Sequence, residues 1–251
     1  LSVYSGEDKM STKDEYNDNY STSYNDKDLT KNDFNWGNFN MALLFEHQFS
    51  PKLFANFNAV YTYNISRYKS QEDNSYDNGS NVINENHYEH EYKSSIRDYG
   101  YRMSFDYRPS PHHHIRFGND FTWHFFHPQT RYLMSSCDNS TSKDTTSLTS
   151  KNYYPARECS IYAEDEMIIN GHWSINAGIN ASLFSIHGKT FTNLNPRFAM
   201  KYQPYNNLSF KASYTSMTQY VHKISNSFLE LPTDYWVPTT EILHPMNSWQ
   251  L

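Results

Sequence analysis

The residues with most chemical potential are three consecutive histidines, His112, His113 and His114, and a set of alternating charges. A histidine cluster suggests a metal centre. Consecutive side chains in an extended segment point to opposite sides, however, so three in a row do not supply three corners of a tetrahedron. The run follows Pro109-Ser110-Pro111 and reads as a wettable turn. His87, Glu89, His90 and Glu91 are a second group with metal-ligating atoms, in a polar stretch read as a solvated loop. Asp98, Arg102, Asp106, Arg116, Asp120 and His124 invite an acid–base reading, since a few barrel proteins are hydrolases. The simpler expectation is a ladder of cross-strand charge pairs. No nucleophile elbow, phosphate-binding glycine loop or CxxC occurs. Cys137 and Cys159 flank a Ser/Thr-rich stretch and could be bridged in an oxidising compartment. Tyr220, Tyr235 and Trp236 could stack on a sugar or chelate, or pack beneath their own loop. No catalytic residue, metal or cofactor is expected.

The elements that carry these residues are strands. The chain of 251 residues has 37% hydrophobic residues, yet 17% are aromatic, with Tyr 22 and Phe 16. Its longest apolar run, Met41–Phe45, is far short of the ~20 residues a membrane helix needs. Asp+Glu 27 against Lys+Arg 21 gives a charge of −6, which disfavours nucleic acid as a partner. Polar overall but ring-rich composition suits sheets with one apolar face.

Period-two patterning predicts strands over 37–49, 53–66, 95–108, 115–127, 156–169, 172–186, 194–203 and 208–217. In 37–49, Phe39, Met41, Leu43 and Phe45 alternate with Asn38, Asn40 and Ala42. In 172–186, Trp173, Ile175, Ala177, Ile179, Ala181 and Leu183 oppose Ser174, Asn176, Gly178, Asn180 and Ser182. Leu1–Ser5 reads as the end of an earlier strand and Ser248–Leu251 as the start of a later one. Asn170-Gly171 has the composition of a type I′ hairpin turn.

Connections alternate in length. Short turns are expected at 50–52, 109–114, 170–171 and 204–207, with a modest link at 187–193. Long polar segments at 6–33, 67–94, 128–155 and 219–247 are read as loops on the opposite rim, outside the cell. The first of these holds eight acids and four bases. Long loops on one rim and short turns on the other suit an up-and-down transmembrane β-barrel. The fold expected is therefore all-β, about eight to nine antiparallel strands of a larger barrel, with 1–251 a partial barrel domain. The competing readings are a secreted soluble β-sandwich that binds a ligand, a small closed outer-membrane barrel, and a barrel enzyme. Residues 1–20 have no basic-then-apolar start, so no signal peptide is expected within the sequence.

Four stretches add a resemblance: LSVYSGEDK (1–9), FNWGNFNMALLFEHQFSPKLFANFNAVYTYNISRY (34–68), ECSIYAEDEMIINGHWSINAGINAS (158–182) and NLNPRFAMKYQPYNNLSFKASYTSMTQYVH (193–222). They resemble the barrel of TonB-dependent outer-membrane receptors, most closely those of Bacteroidetes. LPTDYWVPTTEILHPMNSWQ (231–250) is similar to a loop-to-strand signature of that group. The resemblance implies a barrel of about 22 strands filled by an N-terminal plug. It implies a home in the outer membrane of a Gram-negative bacterium, amid its lipid. It implies energy-coupled import of a scarce nutrient (a metal chelate, cobalamin, glycan or peptide), with the TonB complex acting through the plug. The expected piece lacks the plug and the closing strands, and is not an enzyme.

Overall fold

A computed structural model of the chain describes the backbone of residues 1–21, 24–77, 83–139, 142–151, 153–224 and 235–251. All regular structure in them is β. The strands are β1 (Ser2–Ser21), β2 (Tyr24–Ser50), β3 (Leu53–Asp77), β4 (Ile83–Ser110), β5 (His113–Asn139), β6 (Ser142–Lys151), β7 (Tyr154–Ile168), β8 (Trp173–Ile186), β9 (Lys189–Tyr205), β10 (Leu208–Gln219), β11 (Val221–Ile224), β12 (Tyr235–Pro238) and β13 (Met246–Gln250). One antiparallel sheet runs in the order β1-β2-β3-β4-β5-β7-β8-β9-β10-β13, with β6 also paired to β5. β11 and β12 form a separate hairpin. The large sheet is open, with β1 and β13 at its edges. The strand end expected at Leu1–Ser5 and the strand start at Ser248–Leu251 are both paired, to β2 and β10.

The alternation is observed as read. On β5 and β7, Phe117, Phe121 and Trp123 pair with Ala163, Cys159 and Arg157, while Asp120 and Thr122 pair with Ser160 and Glu158 on the other face. The apolar face has no second sheet against it. Leu43 is 54% exposed, Ile161 61%, Phe198 44% and Phe210 57%. A β-sandwich buries such a row in its core, so the sandwich reading does not hold.

The rim of short turns is tied by backbone. Arg108 N donates to Lys52 O at 2.8 Å and Lys52 Nζ to Pro109 O at 2.8 Å, joining the β2–β3 and β4–β5 turns. Two turns differ from expectation. Asn170-Gly171 is no type I′ turn, because neither residue has positive φ. Instead Asn170 Oδ1 accepts from His172 N and Trp173 N at 2.9 and 3.0 Å, so the side chain builds the bend. The positive φ pair is His187 (48°) and Gly188 (78°), which close β8 onto β9 in two residues where a longer link was expected.

Most of the stretches read as long loops are strand. β1 and β2 pair from Ser2↔Ala42 out to Asn19↔Asn25, across 6–33. β3 and β4 pair out to Asp77↔Ile83, across 67–94. β5 continues to Asn139, with β6 folded back on it, across 128–155. These extensions are mostly polar, with only scattered rings and aliphatics such as the Tyr68–Tyr92 pair, so no sustained period of two marks them; their backbone bonds need no apolar partner. At roughly 3.4 Å per residue, β4 is on the order of 90 Å long. In 219–247 the described residues include β11, β12 and, after a bend over 239–245, the start of β13.

Candidate functional site

The polar face of the sheet carries the ionisable groups, and adjacent strands pair them. Arg102 and Asp120 are directly opposite and joined by a short ion pair. His114 Nε2 lies 2.5 Å from Asp106 Oδ2. Arg116 lies 2.8 Å from Glu164, and Arg197 reaches the same carboxylate at 3.4 Å. His124 is 7% exposed, its Nδ1 2.8 Å from Asp98 Oδ1 and its Nε2 3.4 Å from Glu158 Oε2, the latter without hydrogen-bond geometry. Thr62 Oγ1 donates to Asp98 Oδ2 at 3.3 Å. Each of these acids faces a cation or an imidazole. This is a neutralising ladder rather than an acid–base pair poised over a cleft. The ladder expected from sequence is present, extended by Glu158 and Glu164 of β7.

The three consecutive histidines separate, as alternation requires. His112 Nδ1 is 3.0 Å from Ile168 O, His113 Nδ1 is 2.7 Å from Asp165 Oδ2, and His114 turns to Asp106. In the β3–β4 extension His87 pairs with Asp73. No group of three metal-ligating side chains gathers among the described residues. Cys137 and Cys159 are both free. Cys159 is opposite Phe121, and Cys137 lies sixteen residues further along β5, on the order of 50 Å away. A bridge between them cannot close.

Toward the long-strand rim the inner face changes character. Phe126, Ala156, Phe184 and Ile186 lie in the register rows that continue His124, Glu158 and Ser182, yet they are apolar and buried. Tyr220 lies on this pad. Its ring stacks on Phe184 at 5.1 Å and 7°, and its hydroxyl shares a hydrogen bond with Ser182 Oγ at 2.8 Å while accepting from Asn193 Nδ2 at 3.1 Å. Tyr220 is 2% exposed and Phe184 occupies one ring face. It therefore anchors the start of the β11–β12 hairpin to the wall. The hairpin then lies against β4 and β5. His222 Nε2 meets Thr239 Oγ1 at 3.0 Å, both buried, and burial moves the His222 imidazole below its ordinary value. Trp236, opposite Lys223, is half-buried. Tyr235 belongs to β12, and its side chain lies outside the described residues.

Ser182, Phe184, Asn193 and Thr239 were not singled out from sequence. The signal for Phe184 and Ile186 was parity: both are even-numbered in β8, with Ser174 to Ser182. A polar row that turns apolar at one end marks a surface that something covers.

The chain that builds this single-layer meander, with exposed rings outside and paired charges inside, also matches a family model. Residues 2–243 match the family described as TonB dependent receptor-like, beta-barrel. The chain belongs to the TonB-dependent receptor β-barrel family. It is a family of outer-membrane receptors and transporters, and the up-and-down strands above are part of such a barrel. Among solved structures, the FrpB iron transporter from Neisseria meningitidis (F3-3 variant) is 10% identical with a TM-score of 0.39, over 87% of this chain and 45% of that one. The ferripyoverdine receptor of the outer membrane of Pseudomonas aeruginosa is 9% identical with a TM-score of 0.40, over 86% of this chain and 41% of that one. The TonB-dependent receptor strands described here thus span less than half the length of those relatives. No curated protein matches the sequence.

Proposed function

We propose that this chain forms part of the barrel of a TonB-dependent receptor in the outer membrane of a Gram-negative bacterium, where it helps import a scarce nutrient. The observation that carries this reading is the exposed ring-and-aliphatic face of a single-layer sheet, backed by a wall of paired charges and small polar groups. Such a face is stable only against hydrocarbon, and the paired wall suits a water-filled or plugged lumen. About eleven residues of each strand next to the short turns meet the lipid, such as Ile115–Phe125 of β5. The strand extensions and the rim of long connections then stand outside the cell.

The cargo is a metal chelate, cobalamin, a glycan or a peptide. The plug that fills the lumen couples cargo release to the TonB complex. The β11–β12 hairpin contributes to capture: Tyr220 fixes its base, and Trp236 and its chain neighbour Tyr235 are the candidates for contact with the ligand. Catalysis is no part of the role: the charges of β4, β5 and β7 on the wall are held in cross-strand pairs.

Cell fractionation tests the reading. The full-length protein should sediment with outer membranes and need detergent for extraction, and uptake of its cargo should stop when the TonB complex is removed. Recovery of the protein in the soluble fraction would contradict it.

A further inference from the structure

The outward face of the strand extensions is rich in cations, and most have carboxylate partners. Lys9, Lys13, Lys27, Lys31, Arg67 and Lys69 each lie within 3.3 Å of an acid, as in Arg67–Glu91 at 2.8 Å and Lys69–Glu89 at 3.2 Å. Three outward cations break this pattern. Lys93 and Arg97 of β4 and Arg157 of β7 are exposed and have no acid partner among the described residues.

These three surround one spot. Arg97 is directly opposite Tyr63 on β3 and Phe125 on β5. Its guanidinium lies over the Tyr63 ring, 5.3 Å from the centroid. Arg157 is opposite Trp123, one step below Phe125 on the same face. Lys93 lies four residues along β4 from Arg97, about 13 Å, within reach of two long side chains that converge. His127 and Tyr153 complete the patch: their rings are 4.9 Å apart, and Tyr153 also stacks on Phe125 at 6.3 Å. The register neighbours of Arg97 on this face are Tyr63, Phe125, Ser95 and Tyr99, none of them acidic. Glu91, beside Lys93 along β4, is already held by Arg67. The His127 imidazole, just beyond the spanning residues, is held below its ordinary value first by burial and then by Arg97 and Lys93. The local potential is therefore positive.

The position says what fills the patch. It sits at the outer end of the ring row that meets hydrocarbon, where the headgroups of the outer leaflet lie. A guanidinium and an ammonium with no protein acid, beside rings at that depth, match a phosphate on an acylated headgroup. We infer that Lys93, Arg97 and Arg157, with His127 and Tyr153, form a docking surface for a phosphorylated lipid headgroup of the outer leaflet. The inference rests on the reading of this face as lipid-facing.

The test uses the full-length receptor in neutral-detergent micelles, titrated with diphosphoryl lipid A while Trp fluorescence and thermal unfolding are followed. Trp123, beside Arg157, is the local reporter. The expected result is saturable binding that raises the unfolding temperature. Each of Lys93→Gln, Arg97→Gln and Arg157→Gln should weaken it by roughly fivefold, and the triple variant by on the order of a hundredfold. Lys9→Gln, a paired cation on the same face, should bind as wild type and shows that loss is local. Because Lys93 and Arg157 have no partner to lose, those variants retain the fold. Equal binding of dephosphorylated lipid, equal binding of inorganic phosphate alone, or an unaffected triple variant would each overturn the inference. A protein that is soluble and monomeric without detergent would instead remove the lipid-facing reading beneath it.

Discussion

Arg197 reaches Glu164 by crossing Gly178. Nη1 and Oε2 are 3.4 Å apart, on β9 and β7, with the glycine of β8 between them. A Cβ at position 178 would lie 2.7 Å from Glu164 Cβ and 3.1 Å from Arg197 Cγ. Glu164 thereby holds two guanidiniums, those of Arg116 and Arg197, across four strands of the wall. Gly178→Val should push the carboxylate and guanidinium apart and destabilise the barrel by about 1–3 kcal/mol. Urea unfolding of the detergent-solubilised protein measures this. Gly171→Ala, in open space at the rim turn, should have little effect.

The base of the hairpin depends on Tyr220. Tyr220→Ala removes the ring from Phe184 and leaves a cavity, at a cost of about 3–5 kcal/mol. Tyr220→Phe keeps the stack but strands Ser182 and Asn193, at about 1–3 kcal/mol. Hydrogen exchange should show the loss concentrated in β11 and β12. Uniform loosening of the whole sheet in Tyr220→Phe would contradict the anchoring role.

Acid should loosen the same hairpin. Burial lowers the His222 pKa from its ordinary 6.5, so the unfolded or undocked form binds the proton more readily. The docked hairpin is then favoured above that ordinary value and weakens as pH falls below it. Exchange rates for 220–224 and 236–239, corrected for intrinsic rates, should rise between about pH 7 and about pH 5. His222→Gln should flatten that dependence. A hairpin that tightens in acid would refute the assignment.

Depth and face should decide the cost of added charge. Phe121→Arg places a guanidinium near the middle of the proposed span on the ring face, at about 2–4 kcal/mol. Asn180→Arg, on the inner wall, should cost well under half of that. Refolding into bilayers followed by denaturant titration distinguishes them; equal costs would speak against the sidedness.

Much of this was legible in the residues. Strands pinned to a short turn had their ends placed to within a few positions, as at Ser50–Leu53, because proline and asparagine leave few ways to turn. The sides of β5 and β8 followed from period two. The extensions of β1 to β5 were not legible: outside hydrocarbon neither face need be apolar, so Glu7, Lys9 and Ser11 read as loop while pairing as strand. The wall charges were visible but not their partners on β7, since register cannot be read from one sequence. Asn170-Gly171 misled because the Asn side chain, rather than a positive φ, makes the bend. The seat of Tyr220 depended on a long-range contact with Phe184 that only folding reveals.

The central claim concerns which way the rings of β5 face. Nitroxide labels placed singly at Phe117 through Phe125, with Cys137 and Cys159 replaced, read it directly in the full-length protein in bilayers. Accessibility to oxygen should peak at Phe117, Phe121, Trp123 and Phe125, while accessibility to a water-soluble nickel chelate should peak at Gly118, Asp120, Thr122 and His124 or be low there if the plug excludes it. Oxygen peaks at the even-numbered positions, or no period of two at all, would contradict the account.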